Sequence, residues 1–66
     1  MIIKINGKDE IIEAELNLEQ LIKNKNLLPE RIVIEHNLRV TRKEDWKKIN
    51  LNEGDNIEII SFMGGG

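Results

Sequence analysis

The opening segment, MIIKIN, and the Asn-Gly pair at its end constrain the fold of this chain more than any other feature. Ile3 and Ile5 fall on one face of an extended strand, as β-branched residues in a half-buried strand do. Asn6 and Gly7 form a strong hairpin signal, because both central residues of a type I′ turn need a positive φ angle. Residues 8–15 are therefore predicted to return as a second strand, antiparallel to the first.

Residues 17–26 are predicted to form a helix. Asn17 is a favourable N-cap, and Gln20 stands three residues later, as in a capping box. Pro29 prevents the helix from continuing, because proline has no backbone N–H to donate. The apolar residues of the segment recur at helical spacing and form one stripe, which consists of Leu18, Leu21 and Ile22.

The rest of the chain contains three more predicted strands, at residues 31–36, 38–41 and 56–62. Residues 42–48 hold one helical turn, and residues 53–55 form a turn before the last strand. This order predicts an α+β fold in which one main helix packs on one face of a mixed sheet of four to five strands. In 66 residues the arrangement resembles the β-grasp, or ubiquitin-like, roll.

The composition limits what can stabilise so small a domain and what chemistry its side chains can perform. The absence of cysteine excludes disulfides, thiolate zinc sites and cysteine nucleophiles, and a single histidine excludes the usual multi-histidine metal sites. Twelve isoleucines and seven leucines must therefore supply the core. The acidic residues that adjoin in sequence point apart on a strand or helix, so we predict no catalytic residue, bound metal or cofactor.

Charge and hydropathy argue against two classes of partner. The formal net charge of −2 argues against nucleic acid, since phosphate binding needs a basic face. No apolar run approaches the ~20 residues that a membrane-spanning helix needs, and the first residues lack the basic and long apolar regions of a signal peptide. We therefore expect a cytoplasmic protein that binds neither nucleic acid nor a membrane.

Two side chains that often carry function are interpreted here as structural. His36 shares the periodicity of Ile32 and Ile34, which is typical of a structural histidine at the end of a strand. Trp46 has no aromatic neighbour in sequence and is predicted to cap the core rather than to stack on a base. An independent catalytic site therefore has no candidate side chains.

The last strand is predicted to present an apolar docking patch. Its alternation sends Ile57 and Ile59 to the core. Ile60 and Phe62 then face the other side of the sheet, where the single helix cannot cover them. Ile2 lies on that side as well if the first and last strands are neighbours. The alternative is that the strand twists and Phe62 folds back onto the core.

The chain closes with Met63-Gly64-Gly65-Gly66, so we divide it into a domain of residues 1–62 and a flexible tail of residues 63–66. Glycine has no Cβ and is costly to order, and consecutive glycines are typical of mobile ends. One interpretation is an inert end. The other is that the slim backbone threads a narrow tunnel and presents an ionised α-carboxylate to another protein's active site. The residues alone leave both interpretations open.

Several short motifs follow one another along the whole chain. They are Asn6-Gly7-Lys8, Leu18-x-x-Leu21-Ile22, Ile32-Val33-Ile34-Glu35-x-Asn37, Lys43-Glu44-x-Trp46, Glu53-Gly54-Asp55 and Ile57-Glu58-Ile59-Ile60-x-Phe62-Met63-Gly64-Gly65-Gly66. In this order and spacing they resemble the ThiS sulfur carriers of thiamin biosynthesis, within the ubiquitin-like family that includes MoaD. Gly65 and Gly66 match the diglycine end of that family. Leu38 departs from it where a turn glycine is frequent, and Arg42 where a proline is common.

The resemblance implies a carrier rather than an enzyme. An E1-like adenylyltransferase, ThiF, would adenylate the carboxylate of Gly66 with ATP and Mg²⁺, which belong to that partner. Sulfur from cysteine, supplied through a cysteine desulfurase, would convert the adenylate to a thiocarboxylate for the thiazole synthase ThiG. Gly64 and Gly65 would thread the partner's active site. The residues implied at the docking surface are Ile2, Ile60, Phe62 and Met63.

Three alternatives stay open beside this interpretation. The chain could carry sulfur for another pathway, such as MoaD-like molybdopterin synthesis. It could be a ubiquitin-like modifier, which would use the same activated Gly66 but leave it amide-linked to lysines. It could also be a plain binding module whose tail is inert.

Overall fold

The computed structural model describes residues 1–62, so the Met63-Gly64-Gly65-Gly66 segment lies outside the described residues. The strands are β1 (Ile2–Ile5), β2 (Lys8–Ile11), β3 (Ile32–His36), β4 (Arg39–Val40) and β5 (Asn56–Ser61). The helix α1 covers Leu18–Asn24, and two 3₁₀ segments cover Pro29–Arg31 and Lys43–Lys48. Within residues 1–62, no helix is long and apolar enough to cross a membrane.

The strands form one mixed sheet in the order β2-β1-β5-β3-β4. The first and last strands, β1 and β5, run parallel at its centre, and the other pairs of neighbouring strands in residues 1–62 are antiparallel. Parallel strands need a long crossover connection, and α1 lies in the connection here. The predicted α+β, β-grasp arrangement is confirmed, with five strands.

The core lies between α1 and one face of the sheet. The predicted apolar stripe of the helix is buried, and the alternation of β1, β3 and β5 directs isoleucines into the same layer. Because these side chains are aliphatic, they pack densely without polar atoms to satisfy. The buried apolar residues are Ile3, Ile5, Leu18, Leu21, Ile22, Ile32, Ile34, Trp46, Leu51 and Ile57.

The first hairpin also orders the last strand. Asn6 and Gly7 have φ angles of +51° and +82°, the positive values that the predicted turn needs. The Asn6 backbone N–H donates to the carbonyl oxygen of Ile57 at 2.9 Å. Its side-chain Oδ1 accepts from the N–H of Ile59 at 2.8 Å. The turn therefore provides hydrogen-bond partners for the backbone of β5 beyond the point where β1 ends.

The helix begins where predicted and ends earlier. Asn17 and Gln20 exchange side-chain to backbone hydrogen bonds at 2.8 and 2.9 Å, which confirms the capping box. At the other end Asn26 takes a φ angle of +56°, and the N–H of Leu27 donates to the carbonyl oxygen of Ile22 at 3.2 Å. This is a Schellman motif, so α1 ends at residue 24 rather than at residue 26.

Strand β2 is shorter than predicted, because it ends at Ile11 rather than at residue 15. Its partner β1 begins at Ile2, directly opposite Ile11. One further pair of hydrogen bonds joins Met1 to Ile12, at 2.7 Å in each direction. The pairing of β2 with β1 ends with that pair.

Candidate functional site

The face of the sheet away from α1, called the open face here, carries the predicted docking residues of the last strand. Ile60 and Phe62 are each half exposed, at 49% and 50%. Phe62 does not fold back onto the core, because its N–H donates to the carbonyl oxygen of Arg31 at 3.1 Å and continues the extended pairing with β3. The predicted exposure of both side chains is confirmed, whereas their role in docking stays a prediction.

Val33 completes an apolar row with Ile60. The two residues lie directly opposite each other in the antiparallel pairing of β3 with β5. Residues opposite each other on one face have Cβ atoms about 5 Å apart, so their side chains form one surface. Val33 is absent from the docking residues predicted from sequence, although its place between the core residues Ile32 and Ile34 was a signal that it faces outward.

The predicted inclusion of Ile2 in the same patch needs correction. Ile2 is 46% exposed and on the open face, as expected, and β1 is a neighbour of β5. The parallel register, however, pairs Lys4 with Asn56, which sets Ile2 six residues away from Ile60 along the strand direction. At about 3.3 Å per residue the separation is about 20 Å. Ile2 instead lies opposite the exposed Ile11 of β2.

A groove adjoins the place where the chain leaves β5. It is lined by Leu27, Leu28, Arg31 and Phe62 together with their neighbours. Leu28 is 58% exposed, which adds apolar surface beside Phe62. The predicted site residues Met63, Gly64, Gly65 and Gly66 follow directly in the sequence and lie outside the described residues. Phe62, the last described residue, therefore lies between this groove and the row of Val33 and Ile60.

A polar cluster lies at the start of β5, far from Phe62. Asp55 is buried, and its carboxylate accepts from His36 Nε2 at 2.8 Å, from the Asn52 N–H at 2.9 Å and from the Asn37 side chain at 3.2 Å. Burial acts to raise the pKa of Asp55, but these hydrogen bonds outweigh it and hold the pKa below its usual value. His36 is thus engaged at a strand end, in agreement with a structural role.

Trp46 occupies the position predicted for it, as a cap on the core. Its side chain is buried, and its Nε1–H donates to the hydroxyl of Thr41 at 2.8 Å. That hydroxyl in turn donates to the carbonyl oxygen of Ile34 at 2.8 Å.

In the part of the chain that the structure describes, no three His, Asp or Glu side chains come together as metal ligands.

Comparison with known proteins decides the family. The ThiS family model matches residues 3–66. The chain belongs to the ThiS family. The sulfur carrier protein ThiS of Bacillus subtilis (strain 168) is 29% identical over 65 residues, which cover 97% of this chain and 98% of that protein. The crystal structure of ThiS from Geobacter metallireducens has a TM-score of 0.86 and 29% identity, with all of both chains covered.

Longer proteins contain a segment similar to this ThiS-family chain. A thiazole synthase of Magnetococcus marinus (strain ATCC BAA-1437 / JCM 17883 / MC-1) is 35% identical over 66 residues, which are 100% of this chain but 20% of that protein. The chain spans about a fifth of the length of the thiazole synthases it matches. In those proteins the similar segment is one part of a longer polypeptide.

Proposed function

We propose that this member of the ThiS family is a sulfur carrier of thiamin biosynthesis, and that it acts as a protein co-substrate rather than as an enzyme. The observation that carries the proposal is the family match, which runs over residues 3–66 and so includes the closing glycines. The carrier protein of Bacillus subtilis, similar over nearly the full length of both chains, supports it. The thiazole synthases with a similar segment favour the thiamin pathway over molybdopterin synthesis.

The reacting group in this proposal is the α-carboxylate of Gly66. A carboxylate is anionic and resonance-stabilised, so it is a poor electrophile. ThiF joins it to the AMP part of ATP, pyrophosphate leaves, and both ATP and Mg²⁺ are held by that partner. A desulfurase takes sulfur from cysteine as a persulfide, whose terminal sulfur attacks the acyl-adenylate and displaces AMP. A thiol then cleaves the resulting acyl disulfide by reduction and is itself oxidised to a disulfide. The product is a thiocarboxylate, whose soft anionic sulfur is a good nucleophile for the reaction on ThiG.

The reach of the tail explains why the open face would dock. Four residues, from Met63 to Gly66, span at most about 14 Å when fully extended. The partner's reactive centre must therefore come within that distance of Phe62. The partner's surface must then cover the part of the open face that surrounds Phe62. We assign docking to Ile60, Phe62 and Met63. Gly64 and Gly65 keep the threaded backbone free of side chains.

The test is the intact mass after incubation with ThiF, ATP and a sulfide donor. We expect an increase that corresponds to one exchange of oxygen for sulfur, and no increase for a matched variant that lacks Gly65 and Gly66. An unchanged mass of the full chain, with ThiF shown to be active on another carrier, would overturn the proposal. Stable adducts at much higher mass would instead indicate a ubiquitin-like modifier.

A further inference from the structure

Two carboxylates face each other across neighbouring strands on the open face. Glu35 of β3 and Glu58 of β5 are directly opposite in the antiparallel register, and both side chains are only partly exposed. Like charges opposite each other in a sheet destabilise it. Among residues 1–62, neither carboxylate takes part in an ion pair or a side-chain hydrogen bond. The nearby Lys4 is held by Asp9 of β2 at 3.2 Å instead.

The acidic pair is in line with the apolar residues beside the tail. Glu58 and Ile60 of β5 alternate onto the open face, and Phe62 continues the alternation one residue past the strand, with about 7 Å from one to the next. Val33 and Glu35 follow the same alternation along β3. The open face therefore has an apolar row next to Phe62 and an acidic row directly behind it.

We propose that Glu35 and Glu58 bind lysine or arginine side chains of the ATP-using enzyme that activates the tail, while its apolar residues cover Ile60 and Phe62. The inference rests on the proposed function. An enzyme that brings together a polyphosphate and the carboxylate of Gly66 must surround two anions with positive charge. The acidic row lies on the same face, about 14 Å behind Phe62 on β3 and β5. An enzyme surface that covers Ile60 and Phe62 therefore needs to extend only two residue pairs along the strands to place basic side chains over Glu35 and Glu58.

The cost of the like-charge pair to the isolated domain makes the inference testable. Replacing both carboxylates, Glu35→Gln with Glu58→Gln, should raise the urea midpoint of unfolding, because the repulsion is removed without a change of shape. The same variant should bind the activating enzyme about fivefold more weakly, and its dissociation constant should depend less on salt. A stability gain together with a binding loss distinguishes docking from a structural role.

The matched control is Glu13→Gln with Glu15→Gln, which removes the same charge from two exposed positions before α1. We expect its binding and salt dependence to stay close to those of the wild type. If the Glu35 and Glu58 variant binds as the control does while the wild-type chain is adenylated normally, the inference is overturned and the proposed function stands. The inference is also overturned, and the proposed function again stands, if the Glu35 and Glu58 variant binds thiazole synthase more weakly but binds the activating enzyme normally. A wild-type chain that is not adenylated would overturn both.

Discussion

His36 Nε2 donates to Asp55 Oδ2 at 2.8 Å, and this contact joins the end of β3 to the residue that precedes β5. The other oxygen of the carboxylate accepts from the side chain of Asn37 at 3.2 Å, in the turn after β3. A single buried carboxylate thus ties the β3–β4 hairpin to the entry of the central strand. Since β5 leads to the proposed docking residues Ile60 and Phe62, the cluster anchors the start of the strand that carries them.

The Asp55 cluster should make folding stability depend on pH. The pKa of Asp55 is lowered in the folded state, so the unfolded chain takes up its proton first as the pH falls. The stabilisation is therefore complete above the ordinary aspartate range and is lost from about pH 4 downward. Asp55→Asn should remove this part of the dependence and cost about 1–3 kcal/mol at pH 7, because one of the two accepting oxygens becomes an NH2 group that cannot accept. Urea unfolding at pH 7 and pH 3, followed by Trp46 fluorescence, measures both effects.

Asp9→Asn is the matched control for that experiment. Asp9 pairs with Lys4 at 3.2 Å, but both side chains are largely exposed, so the pair contributes little to stability. We expect a urea midpoint close to that of the wild type at pH 7. If Asp55→Asn keeps the full pH dependence of the wild type, the cluster is not its source.

Leu38→Gly should stabilise the domain. Leu38 has a φ angle of +72° in the β3–β4 turn and its side chain is 83% exposed, so it bears backbone strain without gaining burial. The left-handed conformation costs an L-residue about 1–2 kcal/mol, and glycine adopts it freely. After the entropy cost of glycine, we expect a net gain of about 0.5–1 kcal/mol in the free energy of unfolding. Leu38→Ala keeps the Cβ and should show no such gain; equal gains for both variants would contradict the argument.

The separation of Ile2 from Ile60 gives a positional test of docking. Both are isoleucines of the open face with nearly equal exposure, at 46% and 49%, but they lie about 20 Å apart. We expect Ile60→Ser to weaken binding to ThiF by about tenfold, which corresponds to the loss of a buried apolar contact. Ile2→Ser should leave binding near the wild-type value. Equal losses would show that the partner covers the whole open face, and a loss for Ile2→Ser alone would refute docking beside the tail.

Gly65→Val should leave the domain folded and block activation. A β-branched side chain does not pass a tunnel that fits bare backbone, whereas the buried core of the domain is built from residues 3–57. Thermal melting should match that of the wild type, while ThiF-dependent exchange of pyrophosphate into ATP falls to background. Glu13→Val adds the same side chain at an exposed position distant in sequence from the tail and should exchange normally. Full exchange by Gly65→Val would refute the narrow tunnel.

The features that the sequence predicted correctly are those set by nearby residues. The Asn6-Gly7 turn, the capping box of Asn17 and Gln20 and the isoleucine alternation each need only a few neighbouring residues to form. The outward exposure of Ile60 and Phe62 belongs to the same group, because the period of a strand fixes which side chains share a face.

Which residues of one face become neighbours was decided only by the tertiary structure. The periodicity of β1 predicts which face of the sheet Ile2 lies on, but not where along the sheet it lies. That position depends on the parallel register of β1 and β5, which is set by contacts between residues far apart in sequence. The same pairing places Val33 beside Ile60 and Glu35 beside Glu58, which no local pattern specifies. Asp55 and His36 likewise meet because β5 inserts between β1 and β3. The sequence alone therefore determined the elements and their faces, and long-range strand pairing decided which residues make up the proposed docking surface.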